Sequence, residues 1–174
     1  MSDDFQVGLD GLDAVRKHPD VRSIEDVITF RLRRLVAIGE RAGHDWSQRM
    51  FDLSLNEWRL LALVKGRAPA RAGGLADLLV MDKSQTSRVT KSLLNKGLIR
   101  SFPDPDDGRA VALEPTPEGV VLYRRVFAEV MRSNERVLDV LTHQEVQMLD
   151  EILGKLIEHS SDLLEARMGR PLNR

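Results

Sequence analysis

Apolar residues recur at helical spacing over most of the chain and alternate with polar residues only in one short part. Ser23 followed by Asp26 has the spacing of a capping box, and it opens a long predicted helix that runs to about Gly43. Ser54 with Glu57 has the same spacing and opens a shorter apolar helix. The first part of the chain is therefore predicted to be helical.

The pattern becomes more broken in the middle of the chain. Residues 65–70 include Gly and Pro and are expected to form an exit loop. Two helices are then predicted, a brief one at 75–79 and a longer one at 83–96. Gly97 is placed to end the second of them with a left-handed cap.

Beyond that glycine the sequence predicts a β-hairpin, because two short extended runs at 98–102 and 110–113 flank a turn-rich stretch. Thr116, with Pro117 at the next position, starts another helix, and a third capping box at Thr142 starts the last one. This order of elements predicts a mainly α fold of the α+β class.

Composition narrows the function classes. The chain has 174 residues, of which 42% are hydrophobic, enough for one core together with a dimerisation arm. It has no cysteine, which excludes disulfides and thiolate metal sites. The four histidines lack the paired spacing of a metal site, so we expect no metal and no cofactor. A signal peptide and an apolar run of about 18 residues are both absent, and we therefore expect a cytoplasmic protein that does not contact a membrane.

The formal net charge of -1 provides no general attraction to nucleic acid, since binding to DNA depends on neutralising phosphates. Positive charge is concentrated locally instead. Between residues 83 and 100 every ionisable side chain is basic: Lys83, Arg88, Lys91, Lys96 and Arg100.

The helix predicted at 83–96 has two different faces when its residues are placed at 100° intervals. One face carries hydroxyl, guanidinium, ammonium and amide groups, from Ser84, Arg88, Lys91 and Asn95. The opposite face carries Thr86, Val89, Thr90 and Leu93. Such a helix can pack on a core with one side and offer the other to the major groove of DNA.

Side-chain chemistry assigns roles on the polar face. Ser84, Gln85 and Arg88 are expected to read bases, whereas Lys83 and Lys91 are expected to contact phosphate. The full predicted contact set on this helix is Lys83, Ser84, Gln85, Thr86, Ser87, Arg88 and Lys91. The alternative is a surface helix whose polar face is merely solvated.

The hairpin adds one more candidate. Arg109 lies near its tip, and an arginine on a slender ribbon suits a narrow minor groove. The alternative for Arg109 is an ion pair with one of the acids of the turn, Asp104, Asp106 or Asp107.

Three runs between residues 55 and 119 read LNEWRLLALV, GGLADLLVMDKSQTSRVTKSLLNKGLIR and DPDDGRAVALEPTPEG. Asp107 and Arg109 form an Asp-x-Arg pattern, and Thr116 and Gly119 form a Thr-x-x-Gly helix start. With these runs the chain resembles the MarR family of winged helix-turn-helix transcription regulators, over roughly residues 23 to 166.

The resemblance implies a winged helix-turn-helix lobe with long N- and C-terminal helices that form a dimerisation domain. The implied domains are an N-terminal arm at 1–22, an N-terminal dimerisation helix at 23–50, the DNA-binding domain at 51–115 and C-terminal dimerisation helices at 116–168. It also implies that Asp107 braces the wing and that Arg109 enters the minor groove. Arg71 departs from the pattern, because it lies where a hydroxyl helix cap is usual.

The resemblance further implies a palindromic double-stranded DNA operator, bound by a homodimer and released by a small, anionic and often aromatic effector. Candidate effector-binding residues are Arg41, His44, Trp46, Arg49, Trp58, Arg59 and Tyr123. Trp58 also fits an apolar core, and His44 fits a surface position. Arg49 also has the spacing for an ion pair with Asp52.

Repression is the expected outcome of DNA binding, and two other functions remain open. A helical protein-interaction module of the same fold that no longer binds DNA is favoured by the balanced net charge alone. An enzyme would need a nucleophile, a base and a pocket, but the chain has no Gly-rich phosphate loop and no nucleophile elbow. We therefore expect that the protein is not an enzyme.

Overall fold

The computed structural model describes residues 21–104, 107 and 110–169 of the chain. The helices are α1 (Ile28–Phe51), α2 (Leu55–Arg67), α3 (Ala72–Leu79), α4 (Lys83–Asn95), α5 (Pro117–Leu138) and α6 (His143–Met168), with a 3₁₀ turn at Ile24–Asp26 before them. The strands are β1 (Ala70–Arg71), β2 (Ile99–Pro103) and β3 (Val111–Pro115). The chain divides into two compact units, residues 1–43 and 44–174, whose boundary falls within α1.

The first long helix begins and ends later than the sequence predicted. The capping box at Ser23 forms, but it closes only the 3₁₀ turn, because Val27 is extended with φ −69° and ψ 120°. α1 begins after this break and continues to Phe51, past the predicted end. Asp52 follows with a left-handed backbone, φ 51°, and the helix stops there.

The predicted hairpin is part of a three-stranded sheet. β3 is the central strand and runs antiparallel to β2 on one side and to β1 on the other. Leu113 of β3 pairs with Ser101 of β2 and with Ala70 of β1. The expectation that residues 65–70 form only a loop was wrong, since a strand of two residues is too short to show alternation in the sequence. The mainly α fold of the α+β class is confirmed.

The core lies where α2, α4, α5 and the sheet meet. Its buried apolar side chains include Leu53, Leu60, Leu61, Val64, Leu93, Leu113 and Val126. α2 supplies Leu60, Leu61 and Val64, one face of a single helix. α4 packs against α2 and α3 and contributes Leu93 to the same core.

The junction between sheet and α5 explains the Thr-x-x-Gly pattern. Thr116 Oγ1 accepts a hydrogen bond from Gly119 N at 3.0 Å and donates one to Gly97 O at 2.7 Å. Thr116 N also donates to Leu98 O at 3.1 Å. A Cβ atom at Gly119 would overlap this Leu98 carbonyl oxygen. The glycine therefore allows α5 to approach the backbone that leads into β2.

α6 is the last helix of the described chain. The predicted capping box at Thr142 is present, and Gly169, with φ 65°, ends the helix. In the described part of the chain no residue of α6 is buried. None of the described helices combines the length and the apolar character needed to cross a membrane.

A buried carboxylate links α2 to α4. Glu57, in the first turn of α2, is 7% exposed. Its Oε2 accepts a hydrogen bond from Ser54 N at 2.7 Å, which completes the predicted capping box. Its Oε1 accepts one from Ser92 Oγ at 2.5 Å and lies 3.2 Å from Lys96 Nζ. One carboxylate therefore caps α2 and holds the C-terminal half of α4.

Burial of Glu57 would by itself raise the pKa of its carboxyl group, because it disfavours the charged form. Hydrogen bonds from Ser92, from Ser54 and from Lys96 together outweigh burial, so the pKa lies below the ordinary value of 4.5. The ionised carboxylate thus stabilises the folded state. This stabilisation is present above pH 4.5 and is lost as the pH falls through the lower pKa of the folded state.

Glu57→Gln is expected to lower the free energy of unfolding at neutral pH by about 1–3 kcal/mol, because it removes the charge that Lys96 and Ser92 bind. The difference from the unaltered protein should shrink at acid pH, once the pH falls through the lowered pKa of Glu57 in the folded state and its carboxyl group becomes uncharged like the glutamine side chain. Urea unfolding at neutral pH and at acid pH measures the free energy of unfolding of both proteins. Glu135→Gln, at an exposed position of α5, is the control and should have little effect. An effect of Glu57→Gln that does not depend on pH would contradict this account.

Candidate nucleic-acid interface

α4 follows α3 through a short turn, which is the helix-turn-helix arrangement. Val80 ends α3 with a left-handed backbone, φ 51°, and Met81 N donates to Ala76 O at 3.0 Å. Asp82 then caps α4, because its carboxylate accepts a hydrogen bond from Gln85 N at 2.7 Å. The cap and the turn fix the start of α4.

The two predicted faces of α4 are both present. The inner side buries Thr86 and Leu93 and half-buries Val89. The exposed predicted contacts are Lys83, Ser84, Gln85, Ser87, Arg88 and Lys91. Thr86 is the exception to the predicted set, because it is 5% exposed and its Oγ1 donates to Asp82 O at 2.9 Å. Its hydroxyl supports the first turn of α4 and is not presented to solvent.

Only part of the basic segment is available for an external partner. Lys96 Nζ lies 3.2 Å from Glu57 Oε1 and 3.5 Å from Asp52 Oδ2. Arg100 pairs across the sheet with Glu114. These acids lie outside the segment 83–100, so the sequence pattern did not reveal that two of its cations are neutralised.

The three remaining cations of this segment form the charged part of the exposed face. Within the described residues, Lys83, Arg88 and Lys91 form no ion pair and no side-chain hydrogen bond. All three are exposed on α4. Their positive charges can therefore attract an anionic partner without first releasing an acid of the same chain.

A groove with a volume of about 380 Å³ lies beside this face. Gln85 and Arg88 of α4 form one wall, and Ser54 and Asn56 at the start of α2 form the other. Hydrogen-bond donors and acceptors thus face the groove from two helices. Glu57, Val89 and Ser92 complete the lining of the groove.

Of the predicted wing residues, Arg109 lies outside the described residues, and so does Asp106. Asp107 is exposed, and its backbone N donates to Asp104 Oδ1 at 3.1 Å. The bracing role of the Asp107 side chain stays a prediction. Asp104, considered from sequence only as a partner for Arg109, is 8% exposed and binds Arg71 through two hydrogen bonds of 2.7 and 2.9 Å.

Several of the candidate effector-binding residues belong to aromatic contacts. Trp58 of α2 stacks on Tyr123 of α5, with ring centroids 6.1 Å apart, and Tyr123 stacks on Phe127 at 5.4 Å. Trp46 meets Phe51 edge-on at 5.4 Å. Sequence reasoning missed Phe51 and Phe127, although Phe127 follows Tyr123 at the i+4 spacing that brings side chains together on a helix.

The other candidates differ in their exposure and in their contacts. Arg41 is exposed and belongs to the compact unit of residues 1–43, and His44 is exposed as well. Arg59 is half-buried. Arg49 pairs with Asp45 at 3.7 Å, so the expected pairing with Asp52 was wrong. Asp45 lies four residues before Arg49 on α1, whereas Asp52 follows the end of the helix with a left-handed backbone.

Comparison with known proteins relates this lobe to a family. Residues 53–111, from just before α2 to the first residue of β3, match the model of the MarR family. The chain is also similar to the HTH-type transcriptional regulator YxaD of Bacillus subtilis, with 29% identity over 136 residues that cover 78% of this chain and 92% of the relative.

Solved structures share the fold. A MarR/EmrR family transcriptional regulator from Acinetobacter superposes with a TM-score of 0.74 at 21% identity, covering 80% of this chain and 99% of the other. The PcaV transcriptional regulator from Streptomyces coelicolor, solved with its natural ligand, superposes with a TM-score of 0.66 at 20% identity. The match covers 80% of this chain and 98% of PcaV.

These proteins are regulators of transcription, in agreement with the expectation that the chain is not an enzyme. The family match covers the helix-turn-helix and the start of the wing, and the shared fold extends over most of the chain. Residues 53–111 therefore match the MarR family, and the chain has the fold of MarR-type transcription regulators.

Proposed function

We propose that the protein is a repressor that binds a palindromic operator as a homodimer and is released by a small aromatic, anionic effector. The observation that carries the proposal is the exposed face of α4. This face carries three cations that form no ion pair within the described residues, Lys83, Arg88 and Lys91. The opposite face of the helix is buried in the core.

The face has the chemistry and length that a major groove requires. α4 has 13 residues, which corresponds to roughly 20 Å along the groove. Arg88 can donate two hydrogen bonds to guanine, and Gln85 can form two with adenine, donating one and accepting the other. Lys83 and Lys91 are placed to neutralise phosphates, which contributes affinity independent of sequence.

Dimerisation is supported by the apolar surface of α6. The exposed apolar side chains Met148, Ile152, Leu156 and Leu163 follow one face at helical spacing. A second copy of α6 would remove this surface from water and bring a second α4 to the DNA. An isologous pair predicts a palindromic operator with half-sites about 34 Å apart.

Effector binding is supported by the aromatic stack of Trp58, Tyr123 and Phe127. The stack joins α2 of the winged lobe to α5, and Phe127 is 42% exposed at its end. An aromatic ring that enters the stack would alter the packing of α5 on α2. PcaV, which shares the fold, was solved with its natural ligand bound.

Binding to the promoter upstream of the protein's own gene tests the DNA proposal. Arg88→Ala is expected to weaken binding by about 5- to 150-fold, which corresponds to about 1–3 kcal/mol, and to reduce the preference over a scrambled duplex, because it removes a base contact. Lys91→Ala should weaken binding to both duplexes alike and lower the salt slope by about 1. Fluorescence anisotropy at several salt concentrations measures both.

Arg132→Ala is the matched control for the DNA measurement, because Arg132 is exposed on α5 and pairs with Glu129. It removes one positive charge outside the winged lobe and should leave binding nearly unchanged. No salt-sensitive binding by the unaltered protein would favour the protein-interaction module. Equal effects of Arg88→Ala and Arg132→Ala would refute the contact assigned to α4.

The dimer is tested by placing a charge on the apolar face of α6. Leu156→Glu should convert dimers into monomers at micromolar concentration, because the carboxylate would be buried without a partner. Sedimentation equilibrium measures the mass. Gln147→Glu adds the same charge to the polar side of α6 and should leave the dimer intact. A monomeric unaltered protein, or a dimer that survives Leu156→Glu, contradicts the proposed interface.

Effector release is tested with benzoate as the aromatic probe and cyclohexanecarboxylate as a probe of the same charge without the ring. Benzoate at millimolar concentration is expected to lower promoter affinity by about 10-fold, and cyclohexanecarboxylate should have a much smaller effect. Tyr123→Leu, which keeps an apolar side chain, should abolish the response to benzoate. Equal responses to the two acids, or an unchanged response in the variant, would argue against the aromatic stack as the site.

A further inference from the structure

A second buried carboxylate lies at the base of the wing. Asp104 directly follows β2, and its side chain is 7% exposed. Arg71 Nε donates to Asp104 Oδ2 at 2.7 Å, and Arg71 Nη2 donates to Asp104 Oδ1 at 2.9 Å. A bidentate pair of this kind fixes the direction of both side chains as well as their distance.

The same carboxylate also organises the turn of the wing. Asp107 N donates to Asp104 Oδ1 at 3.1 Å, and Asp104 N donates to Ala110 O at 2.9 Å. Ala110 N donates to Asp107 O at 2.8 Å. Asp104 thus contacts Asp107 through its carboxylate and Ala110 through its backbone.

Arg71 connects this turn to the helix-turn-helix. It is the last residue of β1 and the N-cap of α3, yet its side chain makes no capping hydrogen bond. In β1 its backbone pairs with Ala112 of β3. The residue that departs from the usual hydroxyl cap therefore directs its side chain to the wing.

We propose that Arg71 is a positioning residue that fixes the wing relative to α3 and α4, so that the wing and the polar face of α4 reach one duplex together. This inference rests on the proposed DNA-binding function. The clamp is the ion pair of Arg71 with Asp104. Because Arg71 keeps half of its side chain exposed, a direct contact with phosphate is the competing explanation for any effect on affinity.

Two substitutions separate these explanations. Arg71→Ala weakens binding under both of them. Asp104→Asn leaves the positive charge of Arg71 in place and removes the charge that holds it, so the clamp predicts a loss of promoter affinity of about 5-fold or more. A direct phosphate contact predicts unchanged or stronger binding, because a negative charge beside the guanidinium would be removed. Asp104→Asn that binds as well as the unaltered protein would overturn the proposal.

A protein that carries both Arg71→Ala and Asp104→Asn provides an independent test of the clamp. Arg71→Ala removes the guanidinium from a carboxylate that is more than nine-tenths buried, and Asp104→Asn then removes the charge that needs it. The double variant should therefore bind DNA no more weakly than Arg71→Ala alone, whereas independent effects would multiply. Arg71→Lys should fall between the unaltered protein and Arg71→Ala, since it keeps the charge without the bidentate geometry.

Amide hydrogen exchange tests the clamp without DNA. In Arg71→Ala the amides of Asp104, Asp107 and Ala110 should exchange at least several-fold faster, while those in the middle of α2 keep their protection. Unchanged exchange at these three amides would also overturn the proposal. If the unaltered protein does not bind its promoter, the DNA-binding function fails, and the exchange measurement still decides whether Arg71 holds the wing.

Discussion

The anchoring of α4 on α2 is the constraint on which the rest of the lobe depends. A helix that reads DNA must hold one face in the core while leaving the other in water. Here Thr86, Val89 and Leu93 provide the inner face, and Glu57 fixes it through Ser92 and Lys96. With its inner side fixed in this way, the helix has one defined set of exposed cations.

Basic residues of this lobe serve different purposes, depending on whether a buried acid of the same chain binds them. Lys96 is bound by buried Glu57, and Arg71 is bound by buried Asp104, so both stabilise the positions of neighbouring elements. Arg88 and Lys91 carry the same charge on α4 without an ion pair in the described chain. A net charge of -1 is therefore compatible with DNA binding, because acids are placed where the lobe needs internal support.

Sequence reasoning succeeded where a local pattern decides the structure. The capping boxes at Ser54 and Thr142, the left-handed Gly97 and the two faces of α4 depend on residues within a few positions of each other. It failed where partners are distant. Arg71 and Asp104 are 33 positions apart, and Ser92 is 35 positions from Glu57, so neither link leaves a periodic signal.

The most direct test of the account is hydroxyl-radical and methylation footprinting of the full chain on the promoter upstream of its gene. Two copies of α4 in two successive major grooves predict two protected segments on one side of the duplex, with centres about 10 base pairs apart. A single protected segment, or protection without this spacing, would contradict the claim that paired α4 helices present their cationic faces to one operator.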